Sequence, residues 1–538
     1  MVENIGGIGT VKLTRRQVLA GAAAGAAVVA AEGFADTVAG ETMTKSNQPG
    51  RPNILIIKSD QHNARCLGVN GHNQVKTPNL DKLAGGGVNF TSAFVQNPIC
   101  TPSRMCYLTG QYPHNHGEYG LSDGGGLFPN SLPSMFSEIK KLGYKTGIVG
   151  HIHIKDDWLQ PHCDQYRNMH GKDNCYDKYL DAKGMLALRD DLSYKGHKQI
   201  LDACASELSF EDSYEGYVMR SFNEFLDDIP ADQPFFYQMD PLHPHENYIP
   251  TKEFWDMYEG VELELPPNAD EDLASKTPNQ KVTRDACRYA YTWVFEPKEY
   301  EAGRRRKLRG YYGCISQVDH LVGLARKKLR EMGREENTII VYCSDHGDFA
   351  LEHGLLEKAP GISYDAILRV PFIWHWPAGG FAKGTVEELV ESVDVFPTIC
   401  SLLGINTPDT VDGLDISPML KGDKKPLKDF IVAEFPLSKT IRTKEWKLCH
   451  RPRGMYKVKE DVGELYHVSE DLWEMKNLYA DPKYSNIREE LRRRLFDWIQ
   501  LTTRYDNYYP FDFAKGKDGK KTVTHLKTLL DKENVNYL

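Results

Sequence analysis

The sequence lacks the features that mark several classes of protein. A net charge of −9 over 538 residues gives no basic excess for nucleic acid, although local cations can still bind an anionic substrate. The eleven cysteines include no Cys-x-x-Cys pair of the kind that holds zinc. No internal repeat is visible, and no segment after the N-terminus is apolar for long enough to span a bilayer. These absences favour a large globular protein with no nucleic-acid partner and no integral membrane domain.

The N-terminus has the pattern of a twin-arginine export signal. Arg15 and Arg16 precede an Ala/Gly-rich apolar run over residues 20–31, and small residues follow at cleavage-type positions. About a dozen Ala-rich residues are too few for a membrane anchor. We therefore expect residues 1–39 to be a signal read by the Tat translocase, followed by a linker over 40–51. The mature protein is then expected to be periplasmic or secreted.

An oxidising compartment allows cysteines to pair. Cys163 and Cys175 lie in a polar, irregular stretch and are plausible disulfide partners, whereas Cys66 and Cys106 have the surroundings of core thiols.

The central part of the chain alternates apolar strand-like runs with helical patterns. Strand-like runs cover 53–57, 144–149, 234–240 and 338–343, and helical patterns cover 134–142 and 308–332. This alternation predicts an α/β fold, with a large and mostly parallel sheet sandwiched by helices over residues 52–425. A polar cluster follows each strand-like run, and ligands bind at the carboxyl ends of strands in open α/β sheets.

The pattern changes after about residue 425. Short strand-like segments at 430–434, 440–448 and 464–468 precede an amphipathic, charged helix over 487–503. They predict a smaller C-terminal α+β subdomain over 426–509. The Lys-rich tail 510–538 is more typical of a solvated terminus than of a basic binding arm.

The most informative stretch begins at Cys100, where the sequence reads CTPSR, and LTG follows at 108–110. If a helix begins at Cys100, Arg104 lies one turn further along, and the amide dipoles of the first turn favour an anion. A lone cysteine at a helix start is more often a buried core residue, but the full pattern argues against that alternative. The pattern resembles the modification signature of type I sulfatases, the formylglycine-dependent family of the alkaline phosphatase superfamily.

The resemblance implies the nature of the nucleophile. In this family the cysteine is oxidised to formylglycine by a maturation enzyme, and the hydrated aldehyde attacks sulfur. Cys100 would be the modified residue, and Arg104 would hold the developing charge and a sulfate oxygen.

The resemblance also implies one divalent metal. Asp60-Gln61 and Asp345-His346 end two predicted strands, and the family uses these loops, with modified Cys100, as ligands. Gln61 and His346 depart from the more common Asp and Asn. We expect Ca²⁺, with Mg²⁺ or Mn²⁺ possible, although an imidazole ligand suits Mn²⁺ or Zn²⁺ better than Ca²⁺.

Histidines and one lysine match the family's substrate-binding and acid–base positions. His153 matches the residue that helps eliminate sulfate, and His151 stands where a lysine is usual, so that substrate affinity would weaken as pH rises through neutrality. A purely structural His151 is the alternative. His245 matches the proton donor to the leaving alcohol, with His243 as its competitor, and Lys358 matches the lysine that bridges sulfate and the leaving oxygen.

Together the motifs indicate a sulfuric ester hydrolase that acts on sulfated glycans or, second, on small sulfate esters. A phosphonate monoester hydrolase or phosphodiesterase with the same nucleophile is one alternative, because Gln61 and His346 resemble that branch and the choline sulfatases. A non-catalytic glycan-binding protein is the other, favoured only by His151. Specificity is expected in 156–206 and in 268–301, where alternate aromatics occur from Tyr289 to Phe295.

Overall fold

A computed structural model describes residues 50–121, 130–171, 174–189, 203–289, 300–359, 361–452 and 461–504. The predicted export signal 1–39, linker residues 40–49, the tail 510–538 and the aromatic residues 291–295 lie outside this part of the chain. Where the chain is described, no helix is both long and apolar enough to cross a membrane.

The secondary-structure elements alternate through most of the chain. The strands are β1 Asn53–Ser59, β2 Val88–Phe90, β3 Ala93–Phe94, β4 Lys145–Gly150, β5 Gln165–Asn168, β6 Phe235–Asp240, β7 Thr338–Ser344, β8 Phe372–His375, β9 Gly384–Val386, β10 Val390–Glu391, β11 Phe430–Phe435, β12 Ser438–Thr443, β13 Trp446–His450 and β14 Glu464–His467. The helices are α1 Pro78–Gly85, α2 Cys100–Thr109, α3 Pro113–His116, α4 Met135–Lys140, α5 Asp156–Leu159, α6 Cys175–Ala182, α7 Tyr214–Asp227, α8 Lys252–Asp256, α9 Pro278–Tyr289, α10 Tyr300–Glu331, α11 Asp365–Leu368, α12 Val395–Leu402, α13 Ser417–Leu420 and α14 Ser485–Thr502.

Eight strands form the central sheet in the order β5-β4-β6-β1-β7-β8-β2-β9. The run from β5 to β7 is parallel throughout, and β8 is antiparallel to both of its neighbours. Strand β1 lies at the centre and is buried at every position, which explains the unbroken apolar run over residues 54–57. The predicted mostly parallel sheet is confirmed.

Helices cover both faces of this sheet. Successive side chains of a strand point to opposite faces. Ile54 and Ile56 join a buried cluster that includes Met105 of α2, whereas Leu55 and Ile57 join a second cluster built with α7 and α10. The sheet is therefore the middle layer of a helix–sheet–helix sandwich, as the sequence predicts.

The C-terminal part contains a separate four-stranded antiparallel sheet, β11-β12-β13-β14, next to the long helix α14. The single strand predicted over 440–448 is two strands, because the chain turns at Lys444 and Glu445 between β12 and β13. The α+β character is as predicted, and the boundaries 52–425 and 426–509 stay predictions.

The expected Cys163–Cys175 disulfide is wrong, because both residues are free thiols. Cys163 precedes β5 and Cys175 begins α6 after it, and a four-residue strand carries the chain about 13 Å. Their thiols donate instead to the carbonyls of Leu159 and Asn168. Cys66 and Cys106 are buried, as predicted for core thiols.

Candidate active site

The two predicted metal-binding pairs emerge side by side at one edge of the sheet. Strands β1 and β7 are parallel neighbours with Ser59 opposite Ser344, so the residues that follow them meet. The Gln61 backbone N–H donates to Asp345 Oδ1 at 3.1 Å, and His346 Nε2 lies 3.6 Å from Asp60 Oδ1.

Cys100 is the first residue of α2, as predicted, and it points at this cluster. Its Sγ lies 3.3 Å from His346 Nε2. Ser103 Oγ donates to the Asp345 carbonyl, and Thr101 Oγ1 donates to the His153 carbonyl at 3.1 Å, so both adjoining loops hold the helix start. Burial, and then the Asp60 carboxylate, raise the pKa of the Cys100 thiol well above its ordinary value. The unmodified thiol is therefore protonated and a poor nucleophile.

Arg104 is completely buried among three carboxylates. Its guanidinium lies 2.8 Å from Asp60, 2.8 Å from Asp345 and 3.0 Å from Asp240. Burial opposes its charge, but these carboxylates raise the pKa of Arg104. Lys58 adds a second buried cation, 3.0 Å from Asp240. Asp240 and Lys58 are site residues that the sequence reasoning missed, although each lies at or next to the carboxyl end of a strand.

The residues around Cys100 form a cluster of donor atoms, the first donor cluster, that suits a divalent cation. Donor atoms of Asp60, Cys100, Asp345 and His346 all lie within 4.8 Å of one another. Asp60 Oδ1 is buried and accepts no hydrogen bond from the part of the chain that the structure describes. His346 Nδ1 donates to the Gly347 carbonyl at 3.0 Å, which leaves Nε2 as a lone-pair donor facing the cluster.

Electrostatics keep the cluster in a metal-binding state. Burial alone would raise the pKa of Asp345, but neighbouring cationic groups, with the Arg104 guanidinium 2.8 Å away, hold it well below its usual value, so the carboxylate stays ionised. Burial lowers the pKa of His346 and favours the neutral ring. Two carboxylates, an imidazole and a residue-100 donor therefore fit a hard or borderline divalent ion.

Gln61 is positioned by both ends of its amide. Its Nε2 donates to Asp348 Oδ2 at 2.6 Å, and its Oε1 accepts from Lys358 Nζ at 2.7 Å. The same ammonium group lies 3.0 Å from His245 Nε2. Lys358 is thus held between the predicted metal ligand Gln61 and the predicted proton donor His245.

His245 faces the site through Nε2. Its Nδ1 lies 2.7 Å from the Glu246 carbonyl oxygen and 3.1 Å from a Glu246 carboxylate oxygen. Both oxygens are acceptors, so Nδ1 carries the hydrogen. Burial opposes the charge of Lys358, but Glu246 raises the pKa of this lysine, which stays protonated. Lys358 donates to His245 Nε2, so the exchangeable proton between the two side chains is on the lysine.

His243, the competitor of His245, belongs to a different network. Its Nδ1 lies 3.0 Å from Glu215 Oε2, its backbone N–H donates to Glu215 Oε1, and Gln317 contacts the same ring nitrogen. Burial opposes protonation, but Cys314 and Glu215 raise the pKa of His243 well above its ordinary value. The structure joins His243 to a buried ion pair rather than to the Cys100 cluster.

His151 and His153 follow β4 and lie beside the cluster. His151 Nε2 is 4.0 Å from Asp60 Oδ2 and 3.3 Å from His153 Nδ1. Burial, and then the Arg104 guanidinium, lower the pKa of His151 well below its ordinary value. Both effects favour a neutral imidazole at His151, as the structural alternative expects, and the pH dependence of sulfate binding stays a prediction.

His170 completes this group and was missed in the sequence. Its ring stacks on His153 with centroids 4.1 Å apart and meets the His151 ring edge-on at 4.7 Å. His170 lies two residues beyond the end of a strand, and this position could have pointed to it, as it did for other site residues. Strand β5 is short and half-buried throughout, however, so its sequence has no apolar run that would mark it as a strand.

Three features surround the start of α2: a buried arginine, a cluster of donor atoms suited to a divalent cation, and a His–Lys pair that carries a proton. This arrangement suits the hydrolysis of an anionic ester. The sulfatase family model matches residues 52–405, and a model described as N-sulphoglucosamine sulphohydrolase, C-terminal, matches residues 351–500. The chain belongs to the sulfatase family of the alkaline phosphatase superfamily, and it is a sulfuric ester hydrolase.

Curated relatives agree with this assignment, and a solved structure shares the fold. An arylsulfatase of Clostridium perfringens is 29% identical over 85% of this chain and 96% of its own length. An N-acetylglucosamine-6-O-sulfatase of Bacteroides thetaiotaomicron is 24% identical over 83% of this chain and 86% of its own length. A phosphonate monoester hydrolase from Silicibacter pomeroyi shares the fold with a TM-score of 0.72 and 22% identity, over 87% of this chain and 98% of that chain.

Proposed function

We propose that the protein is an exported sulfatase that releases sulfate from sulfated glycans, using formylglycine at position 100 and one divalent cation. The observation that carries the proposal is the convergence of Cys100, Arg104 and the Lys358–His245 pair on one donor cluster. The glycan class is supported by the relative named for N-acetylglucosamine-6-O-sulfate chemistry. Export is supported by the twin-arginine pattern at Arg15 and Arg16.

Each implied group has residues that fit it. Formylglycine at position 100 would supply a hydrated aldehyde as nucleophile, and a cation would supply positive charge beside it. Asp60, Gln61, Asp345 and His346 would hold that cation, Ca²⁺ first and Mg²⁺ or Mn²⁺ as alternatives. The raised pKa of the Cys100 thiol supports the need for modification, because the thiolate is disfavoured at this buried position.

The protein's own residues then bind sulfate and move protons. Arg104 orients the nucleophile and the anion through a guanidinium that its three carboxylates hold rigidly. The Lys358–His245 pair protonates the departing alkoxide, a poor leaving group without a proton, and the proton comes from the Lys358 ammonium that donates to His245 Nε2. His153, whose backbone carbonyl accepts from Thr101 next to the nucleophile, assists the release of sulfate through Nε2, because its Nδ1 faces His151.

The proposal requires two cellular partners, a formylglycine-generating maturation enzyme and the Tat translocase. Its test is sulfate release from a panel of sulfated saccharides and aryl sulfates by protein matured in such a host. We expect Cys100→Ala to abolish turnover and Cys106→Ala, in the same helix, to retain it. Absence of sulfate release from every member of the panel would contradict the proposal.

Phosphonate ester hydrolysis is the second candidate, and Gln61 favours it. The uncharged amide leaves the donor cluster less negative than a carboxylate would. Comparing kcat/KM for matched aryl sulfates and aryl phosphonates separates the two, and a phosphonate preference of several orders would replace the first candidate. A glycan-binding protein without turnover would bind saccharides from the panel and release no sulfate.

A further inference from the structure

We propose that His151, His153 and His170 form a second metal site that binds Zn²⁺. One ring nitrogen of each histidine lies within 4.8 Å of one from each of the others. His151 Nε2 and His153 Nδ1 are 3.3 Å apart. Two nitrogens bound to tetrahedral Zn²⁺ at about 2.0–2.1 Å are about 3.3 Å apart, so this pair already has the spacing of one edge of a zinc site.

The topology of the sheet brings the three residues together. Strands β4 and β5 are parallel neighbours with Gly150 opposite Asn168. His151 and His153 follow the end of β4, and His170 follows the end of β5. The three imidazoles therefore project from the carboxyl ends of two adjacent strands, where parallel sheets place their ligands.

Hydrogen bonds fix the backbone of each histidine. The His151 N–H donates to the Asp240 carbonyl at 2.9 Å, and the His153 carbonyl accepts from Thr101 Oγ1 at 3.1 Å. The His170 N–H donates to the Asn168 side chain at 2.9 Å. A donor set held in this way loses little conformational freedom when it binds an ion.

The chemistry of the donors selects the ion. Three imidazoles without a carboxylate suit Zn²⁺ and disfavour Ca²⁺, which prefers oxygen ligands. The His151 side chain is 13% exposed and His170 is partly exposed, so an ion has a path from solvent. Three protein ligands leave a fourth position open, and Asp60 Oδ2, 4.0 Å from His151 Nε2, offsets part of the positive charge.

The site has a consequence that rests on the proposed function. A Zn²⁺ ion on His151 would supply a fixed positive charge where His151 stands in place of the family's usual lysine. Binding of the ion itself depends only on the three histidines, so it is tested without reference to turnover.

The test is Zn²⁺ binding to the full mature protein in excess Ca²⁺, measured by competition with a chromophoric chelator and by metal analysis after dialysis. We expect about one bound Zn²⁺ per chain. His170→Gln should weaken the binding by at least about 100-fold, since even indirect partners of a metal ligand are worth 10–100-fold. His162→Gln, a half-buried histidine outside the cluster, is the matched control and should bind like wild type.

The first donor cluster is controlled for separately. In an Asp345→Asn background, which removes a ligand of that cluster, Zn²⁺ binding should persist and should still depend on His170. Equal Zn²⁺ affinity in His170→Gln and His162→Gln would overturn the proposal, as would loss of all Zn²⁺ binding with Asp345→Asn. Zn²⁺ binding without sulfate release would uphold the second site and contradict the proposed function. Sulfate release without Zn²⁺ binding would uphold the proposed function and overturn the second site.

Discussion

Replacing Arg104 tests how the buried charges of the site stabilise the fold. Its guanidinium pairs with Asp60 and Asp345 at 2.8 Å and with Asp240 at 3.0 Å, all fully or almost fully buried. In Arg104→Met, Lys58 still pairs with Asp240, but the other two carboxylates lose their cation. Removing one partner of a buried ion pair costs about 3–5 kcal/mol. We expect the free energy of unfolding to fall by at least that amount in protein freed of metal by a chelator.

A bound divalent cation should offset much of this loss, because it neutralises the same carboxylates. An ion at 100 times its Kd stabilises the folded state by about 2.7 kcal/mol. Urea unfolding followed by tryptophan fluorescence, with chelator and with saturating Ca²⁺, measures both effects. The control is Arg493→Met, which removes an exposed arginine paired with Glu490 and Asp497 and should leave the midpoint unchanged. A midpoint for Arg104→Met equal to that of Arg493→Met, or one that Ca²⁺ fails to raise, would refute this reasoning.

Three further predictions follow from single contacts. Burial opposes ionisation of Glu434, but a hydrogen bond from His114 lowers its pKa to about 2. The stabilisation from the ionised carboxylate is therefore complete above about pH 4.5 and is lost as the pH falls through about 2. Glu434→Gln should cost roughly 3 kcal/mol at neutral pH and progressively less as the pH falls through about 2 in urea titrations, and a pH-independent difference would contradict this. Gly150 has φ +126°, and a Cβ there would lie 1.9 Å from the Asp240 carbonyl oxygen, so Gly150→Ala should lower the thermal midpoint sharply or prevent folding, whereas a wild-type midpoint would exclude the clash. Lys358→Met should reduce kcat by about 100-fold or more for sulfate esters of alkyl alcohols and much less for activated aryl sulfates, and an equal reduction for both would exclude a role in protonating the leaving group.

Much of the site was predictable because strand ends have a clear signature. The apolar runs before Asp60 and Asp345 predict buried strands, and parallel neighbours place the following residues together. The helix that begins at Cys100 was predictable from the motif, and with it the position of Arg104 one turn further along. These features are local in sequence or follow directly from the parallel sheet.

The remaining features depend on contacts that no local pattern encodes. Asp240 ends a strand as many solvent-facing carboxylates do, and only the fold shows that it meets Arg104. His170 follows a short strand without an apolar run, and the turn at Lys444 between β12 and β13 has no glycine or proline to mark it. The sequence could not fix the charge of His151, because burial and a neighbouring guanidinium, both tertiary effects, shift its pKa.

The chemical state of residue 100 tests the central claim most directly. The protein is produced with a formylglycine-generating enzyme, shown to release sulfate, and digested, and the peptide that contains position 100 is analysed by mass spectrometry. The account predicts an aldehyde at position 100 in the active protein, in proportion to the specific activity of each preparation. Sulfate release by protein whose Cys100 is entirely an unmodified thiol would contradict it.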